Sequence, residues 1–134
     1  MKKLVLLASV LFLTVFSASA QKEADANKPE FKFEKEVYDF GSLTEGEVAT
    51  HEFKFKNVGK EPLVITNVIP SCGCTTPKWS KEPIAPGKSG VITVSYDTKG
   101  RPTPFSKNVT IHSNAKTPTK VLYIKGEVKA KPQS

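Results

Sequence analysis

His51-Glu52-Phe53-Lys54-Phe55-Lys56 decides the fold. Phe53 and Phe55 fall on one side of a period of two, and Glu52, Lys54 and Lys56 on the other. A β-strand sends successive side chains to opposite faces, so this alternation describes a strand with one face in a core and one in water. The same period runs outward in both directions. Upstream, Phe31 and Phe33 alternate with Lys32 and Glu34, Val37 to Phe40 extends that edge, and Gly41 and Gly46 punctuate the turn that follows. Downstream, Asn57-Val58-Gly59-Lys60 reads as a turn, Pro62 opens a third strand through Ile69, and Pro70 ends it. Pro86-Gly87 suits the centre of a type II turn, because proline presets φ and glycine accepts a positive one. Ile92, Val94 and Tyr96 then alternate with Thr93, Ser95 and Asp97. Phe105, Val109 and Ile111 mark a sixth strand, with Lys107 the exception on its inward face. Leu122, Ile124, Gly126 and Val128 mark a seventh, with Tyr123, Lys125 and Glu127 outward. Nothing from Gln21 onward carries a helical stripe. About seven short strands with turn signals between them predict an all-β Greek-key sandwich. Periodicity alone leaves a small closed barrel open.

The first twenty residues follow a different rule. Lys2 and Lys3 precede an uncharged apolar run from Leu4 to Phe16, and Ala18-Ser19-Ala20 supplies a small-residue cleavage site. That is the pattern of a secretory signal peptide. Thirteen apolar residues fall short of the roughly twenty a membrane-spanning helix needs. The expected layout is a signal peptide over 1–20, a flexible polar leader over 21–29, the sandwich over 30–129 and a polar tail over 130–134. The expected location is periplasmic or extracellular. Cys72 and Cys74 are the only cysteines and neither sits near the cleavage point, so no lipid or membrane anchor is expected.

Of 134 residues, 114 remain after cleavage at Ala20, enough for one domain that needs neither disulfide nor metal to fold. Without Lys2 and Lys3, the 18 remaining basic residues outnumber the 13 acidic ones by 5. Lys32, Glu34, Lys35 and Glu36 alternate in sign and Arg101 is the only arginine. A nucleic-acid surface clusters its cations, so none is expected here.

Ser71-Cys72-Gly73-Cys74-Thr75 is the one segment able to carry chemistry. Export favours a disulfide, but closing a loop of about three residues removes little chain entropy, roughly 1.5 kcal/mol. Residues i and i+2 of an extended chain also lie near the upper Cα–Cα limit of about 6.8 Å, so Gly73 would have to let the backbone bend. The pair therefore reads in three ways: a tight turn with reduced or trivially oxidised thiols, a labile thiol-exchange pair, or two thiolates for a soft metal such as Cu(I). Zinc wants four ligands. His51 shares the inward parity of Phe53 and His112 opposes Ile111, so nothing brings the histidines together, and no resident metal or other cofactor is expected. Asp39-Phe40-Gly41 spells the magnesium-binding triplet of protein kinases without a glycine-rich or catalytic loop around it, and reads as a strand end. Asn108-Val109-Thr110 fits a glycosylation sequon. Trp79, the sole tryptophan, reads as a binding aromatic on a loop or, the favoured reading, as packed over the core. No catalytic residue is expected.

Taken in order, Tyr38-Asp39-Phe40-Gly41, Phe53-Lys54-Phe55-Lys56-Asn57-Val58-Gly59, Pro62-Leu63-Val64-Ile65, Ser71-Cys72-Gly73-Cys74-Thr75 and Ile84-Ala85-Pro86-Gly87 resemble the bacterial DUF1573 family over nearly all of Phe31 to Val128. That family is similar to the immunoglobulin-like domains of Hydin and the major sperm protein. The resemblance implies an exported immunoglobulin-like sandwich, and related Hydin-type domains act mostly as binding modules. The expected function is a non-enzymatic protein-binding or scaffold module of the cell envelope. The alternative is a small redox or copper-handling protein working through Cys72 and Cys74.

Overall fold

The computed structural model describes residues 26–133. The signal-peptide reading of 1–20 and most of the leader lie outside the described residues. The elements are β1 (Phe31–Phe33), β2 (Val37–Thr44), β3 (Val48–Asn57), β4 (Ile65–Pro70), β5 (Thr75–Trp79), β6 (Ser89–Asp97), β7 (Pro104–Ser113) and β8 (Thr119–Lys129). They form two four-stranded sheets, β1-β3-β6-β5 and β2-β8-β7-β4. With β2 set aside, this is the four-plus-three order of a constant-type immunoglobulin sandwich.

The described residues hold eight strands where about seven were expected, because the first edge divides. Glu34 N donates to Lys54 O, the last rung of β1 on β3, and Tyr123 N donates to Glu36 O two residues later. Val37 to Phe40 therefore does not extend the first edge. It crosses to the other sheet and runs parallel to β8. Gly41 is likewise not in the turn. It adopts φ +70° inside β2, where the register on β8 slips between Asp39 and Ser42. Asp39 Oδ1 accepts from Gly41 N at 2.8 Å. This is a bulge, and it resets the alternation so that Tyr38, Phe40 and then Leu43 all pack against the core. The turn itself is at Gly46, whose N donates to the fully buried Thr98 Oγ1 at 2.9 Å.

The alternation of β3 is as expected: Phe53 and Phe55 are 1% and 2% exposed, and their neighbours Glu52, Lys54 and Lys56 are exposed. They meet Ile92, Val94 and Tyr96 of β6 and Phe105, Val109 and Ile111 of β7 in one core between the sheets. Ala85-Pro86-Gly87-Lys88 closes with Lys88 N donating to Ala85 O at 3.0 Å, and Gly87 has φ +77°. These are the marks of the expected type II turn. Pro62 does not open a strand. Leu63 forms an isolated bridge to Ile84, and β4 begins at Ile65. At the described end of the leader, Pro29 is buried and Asn27 O accepts from Lys60 N. Gly59 makes room there: a Cβ on it would stand 2.2 Å from Lys28 O. Among the described residues no helix is long and apolar enough to cross a membrane.

Candidate functional site

Asn57 is the last residue of β3 and fully buried. Its Nδ2 donates to Glu61 O at 2.8 Å and Ile84 O at 2.9 Å, and its Oδ1 accepts from Gly59 N and Glu30 N. An amide has two donors and an acceptor oxygen, and all are used here. The Asn57–Gly59 motif thus ties β3, the leader and the Ile84 segment together. With the β2 bulge at Asp39–Gly41 and the turn at Pro86–Gly87, it accounts for most of the sequence pattern as fold chemistry. Asp39 Oδ1 is engaged by the Gly41 N–H of the bulge.

The Cys72–Cys74 segment is different. It connects β4 of one sheet to β5 of the other, at one end of the sandwich. The two cysteines form a disulfide with Cα atoms 5.3 Å apart, inside the ordinary range and not at the extended-chain limit. The turn therefore holds the pair in its oxidised form. The bend is a β-turn in which Thr75 N donates to Cys72 O at 3.3 Å. It does not need a glycine, since Gly73 has no positive φ and a Cβ there would meet nothing within 4 Å. Ser71 N donates to Asn108 O, Asn108 N donates to Ser71 Oγ, and Asp97 N donates to Cys74 O at 3.0 Å. Both cysteines are half-buried, and Cys74 packs against the core. Beneath them lies Thr75, 2% exposed, with Oγ1 3.5 Å from Cys72 Sγ and 3.8 Å from Cys74 Sγ.

The remaining candidates do not gather here. His51 of β3 stacks on Tyr38 of β2 at 3.6 Å and meets Phe53 edge-on. Burial lowers its pKa, Lys35 acts in the same direction and Glu52 opposes. His112 lies on β7 in the other sheet, opposite Thr119. Among the described residues no group of three or more His, Cys, Asp or Glu side chains could hold a metal. Trp79 packs against the core, as expected, but from a strand, β5, and its buried Nε1 lacks a hydrogen-bond partner among the described residues. Asn108 is half-buried in the middle of β7.

Sequence reasoning missed the outer face of β2-β8-β7-β4. Val37 pairs with Tyr123, and Tyr123 with Asn108; one row along, Val121 pairs with Thr110, and Thr110 with Ile69. Val37 is 49%, Ile69 46% and Tyr123 43% exposed. Ion-bearing or polar rows bound this strip, Asp39–Lys125–Ser106 on one side and Thr119–His112–Asn67 on the other. The opposite sheet presents Thr50, Glu52, Lys54, Thr93, Ser95 and Lys78, with Val48 and Val91 isolated among them. Tyr123 was already outward in the sequence; the missed signal was that Val37 lies beside it, visible only once β2 is known to run along β8.

A family model described as protein of unknown function (DUF1573) matches residues 31–128. The chain belongs to that family. Among solved structures, this DUF1573 member is similar to a protein of unknown function from Porphyromonas gingivalis W83, with 21% identity and a TM-score of 0.69 over 77% of this chain and 48% of that one. The chain thus spans about half the length of that relative. It is also similar to the ASH/PapD-like domain 7 of human CEP192, with 10% identity and a TM-score of 0.59 over 97% of this chain and all of that one. A third likeness is the VesB protease of Vibrio cholerae, at 13% identity and a TM-score of 0.56 over 85% of this chain and 35% of that one. At such identities the likeness is one of fold. No curated protein matches the chain.

Proposed function

We propose that this DUF1573 domain is an exported, non-enzymatic protein-binding or scaffold module of the cell envelope that grips its partner through the outer face of β2-β8-β7-β4. The observation that carries the reading is the adjacency of Val37 and Tyr123 with Ile69 and Val121 one row away. Directly paired strand neighbours have Cβ atoms about 5 Å apart, so Val37 and Tyr123 touch; Val121 is the next outward residue of β8, and Ile69 lies across Thr110 from it. Single exposed apolar residues are ordinary on a soluble surface, whereas contiguous ones with a polar border fit a protein interface. The charged, alternating face of the other sheet offers no such patch.

Two surface hollows lie among the described residues. One, of about 390 Å³, is lined by Phe33, Phe55, Gly90 and four lysine or glutamate side chains; the other, of about 410 Å³, surrounds the β2 bulge. Neither sets a nucleophile beside a histidine base, as acyl or phosphoryl chemistry would ask. Export rests on the reading of residues 1–20, and N-terminal sequencing of secreted protein should find Gln21 first; retention of Met1 removes that part.

The binding reading is tested with Val37→Lys combined with Tyr123→Glu, compared with Lys54→Glu combined with Thr93→Lys on the opposite face. Each protein is cross-linked in intact envelopes and its adducts are identified by mass spectrometry. The first pair should lose the wild-type adduct with an unchanged melting temperature, and the second pair should keep it. Loss on the second pair alone, or an adduct indifferent to both, overturns the reading.

A further inference from the structure

We propose that the Cys72–Cys74 disulfide is a thiol-exchange site, attacked by an external thiolate at Cys72 with Cys74 as the leaving sulfur. Three observations carry this, and none depends on the binding face.

The bridge has little structural work to do. It closes a loop of sequence separation 2, the kind that removes the least entropy from the unfolded chain. The turn around it is already held by Thr75 N on Cys72 O, Asp97 N on Cys74 O and the paired bonds between Ser71 and Asn108.

The bridge is also reachable. Gly73 is exposed with nothing within 4 Å of its missing side chain, and both cysteines are half-buried residues, not fully buried ones. The two sulfurs are not equivalent. Cys74 packs against the core and Cys72 does not, so a thiolate arriving from solvent meets Cys72 first.

Finally, a donor waits under the pair. Among the described residues, the hydrogen-bond partners of the buried Thr75 hydroxyl are the two sulfurs, at 3.5 and 3.8 Å. A disulfide sulfur accepts weakly and a thiolate strongly, so this hydroxyl gains most when the bond opens. It reaches both sulfurs, Cys72 slightly nearer, and can turn to whichever carries the charge, so it stabilises the thiolate released on Cys74 once Cys72 is bonded to the incoming sulfur and lowers the barrier to its departure.

The balance is that of ordinary exchange. The incoming thiolate forms a bond to Cys72 Sγ as the Cys72–Cys74 bond breaks, and the bonding pair leaves on Cys74 Sγ. A monothiol stops there, as a mixed disulfide. A dithiol goes on: its second thiolate attacks its own sulfur in that mixed disulfide and frees Cys72. The dithiol is then oxidised to a disulfide by two electrons, and Cys72 and Cys74 are left as thiols after taking up two protons.

The test is to expose the purified folded protein to reduced glutathione with iodoacetamide present, then map the adducts by mass spectrometry. The expected species carries glutathione on Cys72 and the alkyl group on Cys74. Glutathione on Cys74 overturns the assigned polarity. A disulfide that opens only at urea concentrations that unfold the sandwich overturns the site itself. Thr75→Val should slow opening by dithiothreitol about tenfold, the scale of one hydrogen bond to a charged group, while Thr75→Ser keeps the wild-type rate. Equal rates in all three proteins overturn the role of the hydroxyl. The glutathione map needs no variant and stands whether or not Thr75→Val folds.

Discussion

The side-chain amide of Asn57 donates to the carbonyl of Ile84 across 27 residues of sequence, at 2.9 Å and out of reach of water. The same amide closes on Glu61 O, and its oxygen takes the N–H groups of Gly59 and Glu30. Leaving a buried polar group without its partner costs about 1–3 kcal/mol, and Asn57→Ala strands several at once. It should therefore destabilise the domain by about 3 kcal/mol or more in urea unfolding. Asn57→Asp should be no better at neutral pH, since it turns a carboxylate oxygen toward two carbonyls. A loss below about 0.5 kcal/mol would show that the hub is not what ties the leader and the Ile84 segment to β3.

The two faces of β3 make a second, opposed pair of expectations. Phe53 is 1% exposed and lies in the core, while Lys54 beside it is exposed. Phe53→Ala should cost about 3–5 kcal/mol, and Lys54→Ala under about 0.5 kcal/mol. Equal costs by denaturant titration would mean the register of β3 on β6 is wrong.

That contrast was open to sequence reading because it is local: Phe53, Phe55 and their charged neighbours declare a period of two without reference to anything distant. The type II turn was legible for the same reason, since Pro86 and Gly87 carry their backbone preferences with them. What failed was long-range. Gly41 looks like a turn glycine until β8 is beside it, when it becomes a bulge, and Val37 looks like part of β1 until it crosses to the other sheet. Asn57 in a turn motif gives no sign of carbonyls arriving from Glu61 and Ile84. The site divided along the same line. The cysteine pair was visible by spacing, whereas Thr75 beneath it needed the turn to be folded, and the Val37–Tyr123 patch needed the sheet.

His51 gives the pH dependence. Its ring is stacked on Tyr38 between the two sheets, and burial, with Lys35, holds its pKa below the ordinary value of 6.5. The unfolded chain then binds a proton more readily than the folded one. Stability is complete above about pH 6.5 and falls as the pH drops from there through the lower folded pKa, below which the loss stays constant. His51→Phe keeps a ring for Tyr38 and removes the proton. The variant should lose less stability than the wild type between pH 7 and 5, a difference read by urea titration at each pH. Parallel curves for the two proteins would show that burial of His51 does not govern acid sensitivity.

The last expectation concerns what the disulfide does for the fold. Cys72 and Cys74 close the smallest of loops, so replacing both with serine should remove only about 1.5 kcal/mol of chain-entropy stabilisation. The turn should persist, because its backbone bonds to Asn108 and Asp97 do not involve sulfur. The double variant is expected to keep the wild-type β-sheet circular dichroism and a cooperative unfolding transition. Cys72→Ser alone is the sharper case. It leaves Cys74 as a free thiol packed against the core beside the Thr75 hydroxyl, and that thiol should react with a thiol-specific reagent far faster in the folded protein bearing Thr75 than in one that also carries Thr75→Val. Collapse of the fold in the double variant would mean that the bridge is structural, and would undercut the reading of Cys72 and Cys74 as a pair available for exchange.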